Sequence, residues 1–400
     1  MKNWLWIVSP ALVPLPWIVL RFTGAELTPL WVALLSGLAI VGAAFLLGWA
    51  CEVAEMDISR ALALSFLALV AILPEYAVDL YFAWRAGTDP SYTPFATANM
   101  TGANRLLIGL GWSLLVFINF FKRGKHAIEL EESRSLEITF LLLATLYSFI
   151  IPLKGTLSLL DTVVLVALFV FYIISASRAN FSEPEIVGPA ECLANLIPPV
   201  RRTATVAMFL YSAFSILISA EPFAESLIAT GRQFGIEEFI LVQWLAPLAS
   251  ESPEIIVATL FVLRGNPNSG IGTLVSSKVN QWTLLVGMLP LAYCLAAGRV
   301  TSMSLDGRQV EEILLTSAQS AFAIAVLANL RISLLEAAAL FLLFITQLFF
   351  PDPRVRYFYS AFYLLVTLLI LLARKKEQMR HVLHLFSLAL KEVRSPAEKA

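Results

Sequence analysis

The sequence has few charged residues, few histidines and few cysteines. Only 14% of its 400 residues are Asp, Glu, Lys or Arg, against about 25% in an average soluble domain. With 58% hydrophobic residues, a soluble protein could not cover its own surface, so we expect the lipid bilayer to be its solvent. The three histidines, two of them in the C-terminal tail, argue against a histidine metal site. Cys51, Cys192 and Cys294 are too far apart for a metal-binding spacing, and we expect no disulfide framework.

Motifs for catalysis are missing as well. The chain has no nucleotide-binding loop, no zinc-protease motif and no nucleophile elbow. We therefore expect no enzyme activity, no cofactor and no nucleic-acid partner, and an intramembrane enzyme is disfavoured because no nucleophile–base pair is evident.

Long apolar runs fill most of the chain. A hydrocarbon core about 30 Å thick needs roughly 20 apolar residues per helix. This criterion predicts an all-α polytopic membrane protein with about twelve transmembrane helices. The first could instead be a signal peptide, although its three prolines favour an uncleaved helix. The predicted spans are 4–20, 28–50, 59–84, 93–119, 135–152, 157–176, 201–220, 236–262, 269–297, 311–328, 332–350 and 355–373.

Positive charge predicts the orientation. Eighteen Lys and Arg residues, including those of the tail, fall on the side of the N-terminus and eight on the other side. Because cytoplasmic loops are enriched in Lys and Arg, we expect both termini to be cytoplasmic. Short loops and the lack of an organelle address favour a plasma or inner membrane. The two remaining bases, Arg105 and Lys278, fall inside predicted spans.

Composition also divides the chain. The Pro- and Glu-containing stretch 177–200 reads as a solvated cytoplasmic linker between two halves. The basic tail has interleaved leucines, so it could lie on the anionic leaflet or be solvated, and both alternatives stay open. We predict additional helices in 1–27 and 351–373, repeats in 28–176 and 201–350, and a tail in 374–400.

The two halves contain similar segments. Pro74-Glu75 is followed after a turn near Gly87 by Asn104, and Pro253-Glu254 is followed by Lys278 at a similar distance. The spacings are 29 and 24 residues, a difference that we assign to a longer connecting loop. Five predicted spans separate the two segments, so they cross the membrane in opposite directions. Two inverted five-helix repeats, forming a ten-helix core, are a transporter architecture.

Each Pro-Glu pair combines two kinds of oxygen ligand. A proline inside a helix cannot donate to the carbonyl four residues earlier, so Pro74 should free the carbonyl of Val70 and Pro253 that of Ala249. Such a carbonyl is costly in lipid unless it lines a cavity or finds a partner. Carboxylates together with bare carbonyls suit a hard cation such as Ca²⁺.

Acidic residues are concentrated in the same two spans. Glu75 and Asp79 share one helix face, and Glu251 and Glu254 share another. One ionised side chain at the middle of a membrane helix costs about 2.5–3.5 kcal/mol on insertion scales. Four acids are therefore predicted to bind a cation, with structural pairing to buried bases as the alternative. The further candidate ligands are Asn99, Asn104 and Ser277.

At these residues the sequence resembles the sodium/calcium exchanger superfamily of cation antiporters. The matches are Pro74-Glu75, Asn99, Gly102-Ala103-Asn104, Pro253-Glu254, Gly272 and Ser277. The resemblance implies a ten-helix core and alternating access. It also implies that Glu75 and Glu254 are the central ligands of a small inorganic cation.

The sequence departs from the family pattern at several other positions, and Thr273 and Gln281 are two of them, each in place of an asparagine. Ala71-Ile72 replaces a Thr-Ser pair, Glu251 a serine, Lys278 an asparagine and Leu107 another asparagine. A lysine ammonium can occupy the place of a bound monovalent cation. Lys278 therefore predicts sodium-independent transport, unless it snorkels to an interface.

The leading prediction is secondary antiport of a divalent cation, Ca²⁺ first, against H⁺ or Na⁺. Asp79 and Glu251 would be auxiliary ligands or proton carriers. Arg105 is a candidate partner for Asp79 or Glu75, or it is turned away from them. The alternative function is a non-transporting sensor or assembly subunit, in which salt bridges lock the altered site.

Overall fold

The structure, a computed structural model, describes residues 2–57, 73–178, 186, 188–350 and 352–373. The chain forms helices joined by short connections. The elements are α1 (Lys2–Leu12), α2 (Leu15–Thr23), α3 (Pro29–Ala54), α4 (Leu73–Thr88), α5 (Thr93–Leu106), the π-helix π1 (Leu107–Trp112), α6 (Ser113–Arg123), β1 (Ala127–Glu129), α7 (Ser135–Ser148), α8 (Ile150–Lys154), β2 (Thr156–Leu157), α9 (Leu159–Arg178), α10 (Ala190–Ala194), α11 (Pro198–Phe234), α12 (Glu238–Arg264), α13 (Pro267–Asn280), the π-helix π2 (Gln281–Leu285), α14 (Val286–Ala297), β3 (Met303–Ser304), α15 (Gly307–Leu327), β4 (Arg331–Ser333), α16 (Leu334–Gln347) and α17 (Pro353–Ala373).

The predicted class, an all-α polytopic membrane protein, is confirmed. Within the described residues, ten helical segments are long and apolar enough to cross a membrane. They correspond to ten of the twelve predicted spans. The shorter apolar helix Leu334–Gln347 corresponds to the eleventh, and α4 is the described end of the third. The first span is broken near Pro14 into α1 and α2, because proline lacks the N–H that a continuous helix needs.

The chain divides into two compact units. The first contains Met1–Phe82 and Ser182–Ile256. Its centre is the pair α3 and α11, and the ring of Phe223 packs on Gly37, where a Cβ would lie 2.8 Å from Phe223 Cε2. The N-terminal helices join this unit, because Ile7 is buried against α3 and Tyr211 donates a 2.7 Å hydrogen bond to the carbonyl of Ala11.

The second unit contains Ala83–Phe181 and Val257–Ala400. Two short antiparallel strand pairs hold its connections together: β1 pairs with β4, and β2 pairs with β3. Its helices include α5 and α13, which carry the predicted polar ligands and both buried bases.

Two helical segments of the second unit have similar bounds. A helix runs from eleven residues before Asn104 to nineteen after it, and the same holds around Lys278. A π-helical turn begins three residues after each of them. Such turns often occur at functional sites. Each of the two strand pairs, β1 with β4 and β2 with β3, joins one strand of each predicted repeat. The inverted orientation of the repeats stays a prediction.

The predicted turn near Gly87 is wrong. The helix α4 continues to Thr88, and the turn lies at Pro90–Tyr92. Gly87 is instead a packing residue, because a Cβ there would collide with the backbone carbonyl oxygen of Tyr293. The spacing difference between the repeats therefore arises partly in the helix and not only in the connection.

The predicted solvated linker is also wrong for its second half. Within α10, Ala190 and Leu193 are buried in a cluster with Trp49 and Val53 of α3. Residues 179–185 and the whole basic tail 374–400 lie outside the described residues, and so do Val70 and Ala71-Ile72.

An ion pair ties the end of α3 to the beginning of α11. The guanidinium of Arg201 donates to both carboxylate oxygens of Asp57, at 2.8 and 2.9 Å, and Arg202 donates a third hydrogen bond. Asp57 lies outside the membrane span, and the Arg201 hydrogen bonds lower its pKa to about 2. The resulting stabilisation is present above the ordinary aspartate pKa of about 3.9 and is lost as the pH falls through about 2.

The variant Arg201→Gln should therefore have a lower melting temperature than the unmodified protein, measured in detergent at pH 7. Arg202→Gln is the matched control, and its effect should be smaller because the Arg202 side chain is 64% exposed, against 12% for Arg201. The decrease in melting temperature caused by Asp57→Asn should become smaller only below about pH 4. Equal effects of the two arginine variants would contradict this account.

A second prediction concerns helix packing. Gly87→Ala should lower the melting temperature, because the new methyl group meets a backbone oxygen that cannot move cheaply. Gly48→Ala is the control: nothing lies within 4 Å of a Cβ there, and alanine favours the helix by about 0.5–1 kcal/mol over glycine. A thermal unfolding assay in detergent compares them. A Gly87→Ala variant as stable as Gly48→Ala would show that the close packing is not required.

Candidate functional site

All four predicted acids belong to the first unit. Glu75 and Asp79 lie one turn apart on α4, and their side chains are 1% and 0% exposed. Glu251 and Glu254 lie on α12, where Glu251 is fully buried and Glu254 is half-buried. The helix geometry therefore gives each pair the shared face that the sequence predicts.

The two glutamates of the Pro-Glu pairs lie within electrostatic range of each other. Glu75 interacts with the like charge of Glu254, and also with that of Asp79. Among the described residues, Glu75 Oε2 is buried without a hydrogen-bond partner. An unsatisfied, buried carboxylate oxygen facing other carboxylates is unfavourable by itself. A cation or a proton is what such an arrangement needs.

The helix carrying Glu254 contains the predicted backbone defect. Pro253 lies inside α12, so it cannot donate to the carbonyl of Ala249, which belongs to a buried residue. A second proline, Pro247, lies in the same helix and was not considered in the sequence analysis. The corresponding carbonyl of Val70 cannot be compared, because it is outside the described residues.

The acids do not form a dense metal cage. No group of three or more His, Cys, Asp or Glu residues that could hold a metal occurs among the described residues. Glu75 and Glu254, assigned as metal ligands in the sequence, would therefore need carbonyl, amide or water oxygens to complete the shell.

Both predicted bases belong to the second unit. Lys278 on α13 is completely buried, and its Nζ donates to Asn104 Oδ1 at 2.6 Å and to the Asn104 carbonyl at 3.3 Å. The ammonium also lies 4.4 Å from the ring centroid of Trp282. A lysine held this way does not snorkel, so that alternative is wrong.

The predicted neutral ligands have different surroundings. Asn104 Nδ2 donates to the Met100 carbonyl, so both ends of its amide are engaged. Asn99 is 2% exposed, and its Oδ1 has no hydrogen-bond partner among the described residues. Ser277 is buried next to Lys278. Of these residues, Asn99 has the oxygen best suited to an incoming cation.

Arg105 is paired with a residue that the sequence analysis missed. Its Nη2 lies 2.5 Å from Glu312 Oε2, and Glu312 is contacted from its other side by Arg356. The three side chains are almost fully buried. Glu312 lies in a predicted span and could have been found by the same rule that selected Glu75. Arg356 lies near the beginning of the predicted span 355–373 and belongs to α17.

Comparisons with known proteins identify the family. A sequence model described as sodium/calcium exchanger protein matches residues 28–177 and 204–351. The chain belongs to the sodium/calcium exchanger family. This membership confirms the resemblance of the Pro-Glu segments, and the family consists of secondary transporters.

Solved structures extend the comparison over nearly all of the given chain. The crystal structure of the H⁺/Ca²⁺ exchanger CAX is 47% identical, covers 98% of this chain and 99% of its own, and has a TM-score of 0.94. The sodium-calcium exchanger NCX_Mj is 16% identical with a TM-score of 0.53, covering 80% of this chain and 97% of its own. YfkE is 13% identical with a TM-score of 0.60, covering 87% and 98%. The last two show the fold alone. A search of curated proteins finds no match.

The two asparagines should respond differently to an isosteric apolar substitution. Asn104→Leu removes a charge-assisted hydrogen bond of the buried Lys278 ammonium and should lower the free energy of unfolding by about 1.5–3 kcal/mol. Asn99→Leu removes no hydrogen bond of Oδ1, so it should leave the melting temperature nearly unchanged. Thermal unfolding of both variants measures the contrast. A larger loss from Asn99→Leu would contradict these assignments.

Proposed function

We propose that this exchanger is a Ca²⁺/H⁺ antiporter that binds Ca²⁺ through Glu75 and Glu254 and works without Na⁺. The observation that carries the proposal is that Glu75 is buried with Oε2 lacking a hydrogen-bond partner among the described residues, within electrostatic range of Glu254 from the other Pro-Glu segment. Membership in the exchanger family and the 47% identity to a structure named as an H⁺/Ca²⁺ exchanger support it.

The binding step follows from the oxygen atoms. Ca²⁺ takes six to eight oxygen ligands in a flexible geometry. Glu75 and Glu254 would provide the charge, the Ala249 carbonyl a neutral oxygen, and waters the remainder. Asn99 and Ser277 stay predicted ligands, and Asp79 and Glu251 auxiliary acids. A divalent cation is favoured over a monovalent one because it neutralises both glutamates.

The exchange step follows from the charges. Glu75 interacts with two other acids in a buried place, and these groups cannot all remain ionised when the cation leaves. Protons then replace Ca²⁺ on the carboxylates. Binding of the next Ca²⁺ expels those protons, which links the two ions in opposite directions if access alternates between the two sides.

Sodium independence is proposed from Lys278. Its ammonium is fixed on Asn104 and the Trp282 ring, at a position where the family pattern has asparagine. A covalently attached monovalent cation at this position would take the place of a bound Na⁺. We further propose that both termini are cytoplasmic and that the membrane is a plasma or inner membrane.

Reconstituted vesicles provide the test of this function. Imposed proton gradients should drive Ca²⁺ accumulation equally well with and without Na⁺, and each uptake should be matched by proton movement. Glu75→Gln and Glu254→Gln should each reduce uptake by at least about a hundredfold, because a central ligand is lost. Glu221→Gln, which removes an exposed acid of α11, should keep normal uptake.

The lysine assignment is tested in the same vesicles. Lys278→Ala should make Ca²⁺ transport responsive to a Na⁺ gradient, because the place of the ammonium becomes available to Na⁺. Strict Na⁺ dependence of the unmodified protein would contradict sodium independence. Undiminished uptake by Glu75→Gln would contradict the assignment of the binding site.

A further inference from the structure

A buried ionic network adjoins the Asn104–Lys278 pair. Arg105, the next residue of α5, contacts Glu312 of α15, and Glu312 contacts Arg356 of α17. The side chains of the three residues are 2%, 0% and 7% exposed. The family match ends at residue 351, whereas α17 begins at Pro353. A helix beyond the matched family region therefore supplies a charge to the interior of the second unit.

The repeat lacks a second copy of this network. The displacement of 174 residues that relates Asn104 to Lys278 also relates Arg105 to Val279 and Ile138 to Glu312. Val279 and Ile138 are 0% and 1% exposed. The ion pair joins one residue of each predicted repeat, and the two positions equivalent to them are apolar and buried.

Stability alone does not account for this difference. A buried ion pair loses most of its Coulomb energy to desolvation, and well-packed apolar residues are often equally or more stabilising. Val279 and Ile138 show that the fold accommodates buried apolar residues at the equivalent positions. Directional contacts are what an arginine and a glutamate add to packing, because hydrogen-bonded charges have a defined geometry.

We propose that Glu312, held between Arg105 and Arg356, is a positioning residue that fixes the rotation of α5 and so the direction of the predicted ligand Asn99. The inference rests on the proposed function, since Asn99 matters only if the exchanger binds a cation.

The contacts of α5 show how the network acts. Near its end, Lys278 holds the side chain and carbonyl of Asn104, and Glu312 holds the side chain of Arg105. Gln319 of α15 donates to the Arg105 carbonyl at 3.3 Å. The π-helical turn begins immediately afterwards, at Leu107. Two adjacent residues fixed from different helices define the rotation of α5, whereas either contact alone would leave the helix able to turn.

The test measures the apparent KM for Ca²⁺ in vesicles, together with the melting temperature. Glu312→Gln should raise the KM about tenfold, the lower end of what loss of a partner behind the ligands costs in metal binding. A network that serves stability only would change the amount of folded transporter and its melting temperature but not the KM.

A second variant separates positioning from an unpaired buried charge. The triple substitution Arg105→Val, Glu312→Ile and Arg356→Met removes all three charges. Its first two changes copy the apolar residues of the equivalent positions, Val279 and Ile138. We expect a melting temperature close to that of the unmodified protein, with the same tenfold rise in KM. If either variant has the same KM as the unmodified protein, the proposal is overturned. A triple variant that does not fold also overturns it, because the network would then be structural.

A matched control is the buried acid Asp161, which pairs with Lys154 in the same unit but not with α5. Asp161→Asn should lower the melting temperature and leave the KM unchanged. Failure of the proposed function has a different signature, because the unmodified protein would then show no proton-driven Ca²⁺ uptake at all.

Discussion

The repulsion between Glu75 and Glu254 is the constraint on which this exchanger depends. Two like charges approach each other on helices of a membrane protein, where a single ionised group already costs about 2.5–3.5 kcal/mol. Among the described residues, Glu75 Oε2 is buried without a hydrogen-bond partner. A bound cation or bound protons must satisfy them, and exchange of one for the other is the transport reaction that we propose.

The helical segments around Asn104 and Lys278 are alike, but the side chains at these two positions are chemically different. Both segments begin and end at the same distances from these residues, and a π-helical turn begins three residues after each of them. The side chains at these equivalent positions differ, and one donates to the other. Asn104 therefore contributes the acceptor and Lys278 the ammonium that donates to it. In the function that we propose, substitutions at a few buried positions set which ions the exchanger accepts.

The sequence predicted the fold well because the bilayer imposes strong rules. Apolar length identified the spans, and proline next to glutamate identified the acids of α4 and α12. Long-range pairing was harder to predict. Nothing in the local pattern joins Arg105 to Glu312, which lies 207 residues later. Gly87 looked like a turn residue because its packing partner, Tyr293, is equally remote. Ala190 and Leu193 looked solvated because their neighbours are prolines and acids.

Proton release on Ca²⁺ binding tests the central claim most directly. Ca²⁺ is added to the purified, detergent-solubilised exchanger in weak buffer, and the pH change is recorded. The account predicts that Ca²⁺ binding releases protons, that Na⁺ releases none, and that a Glu75→Gln, Glu254→Gln double variant releases none with either ion. Ca²⁺ binding without proton release, or release that persists in the double variant, would contradict exchange at these two glutamates.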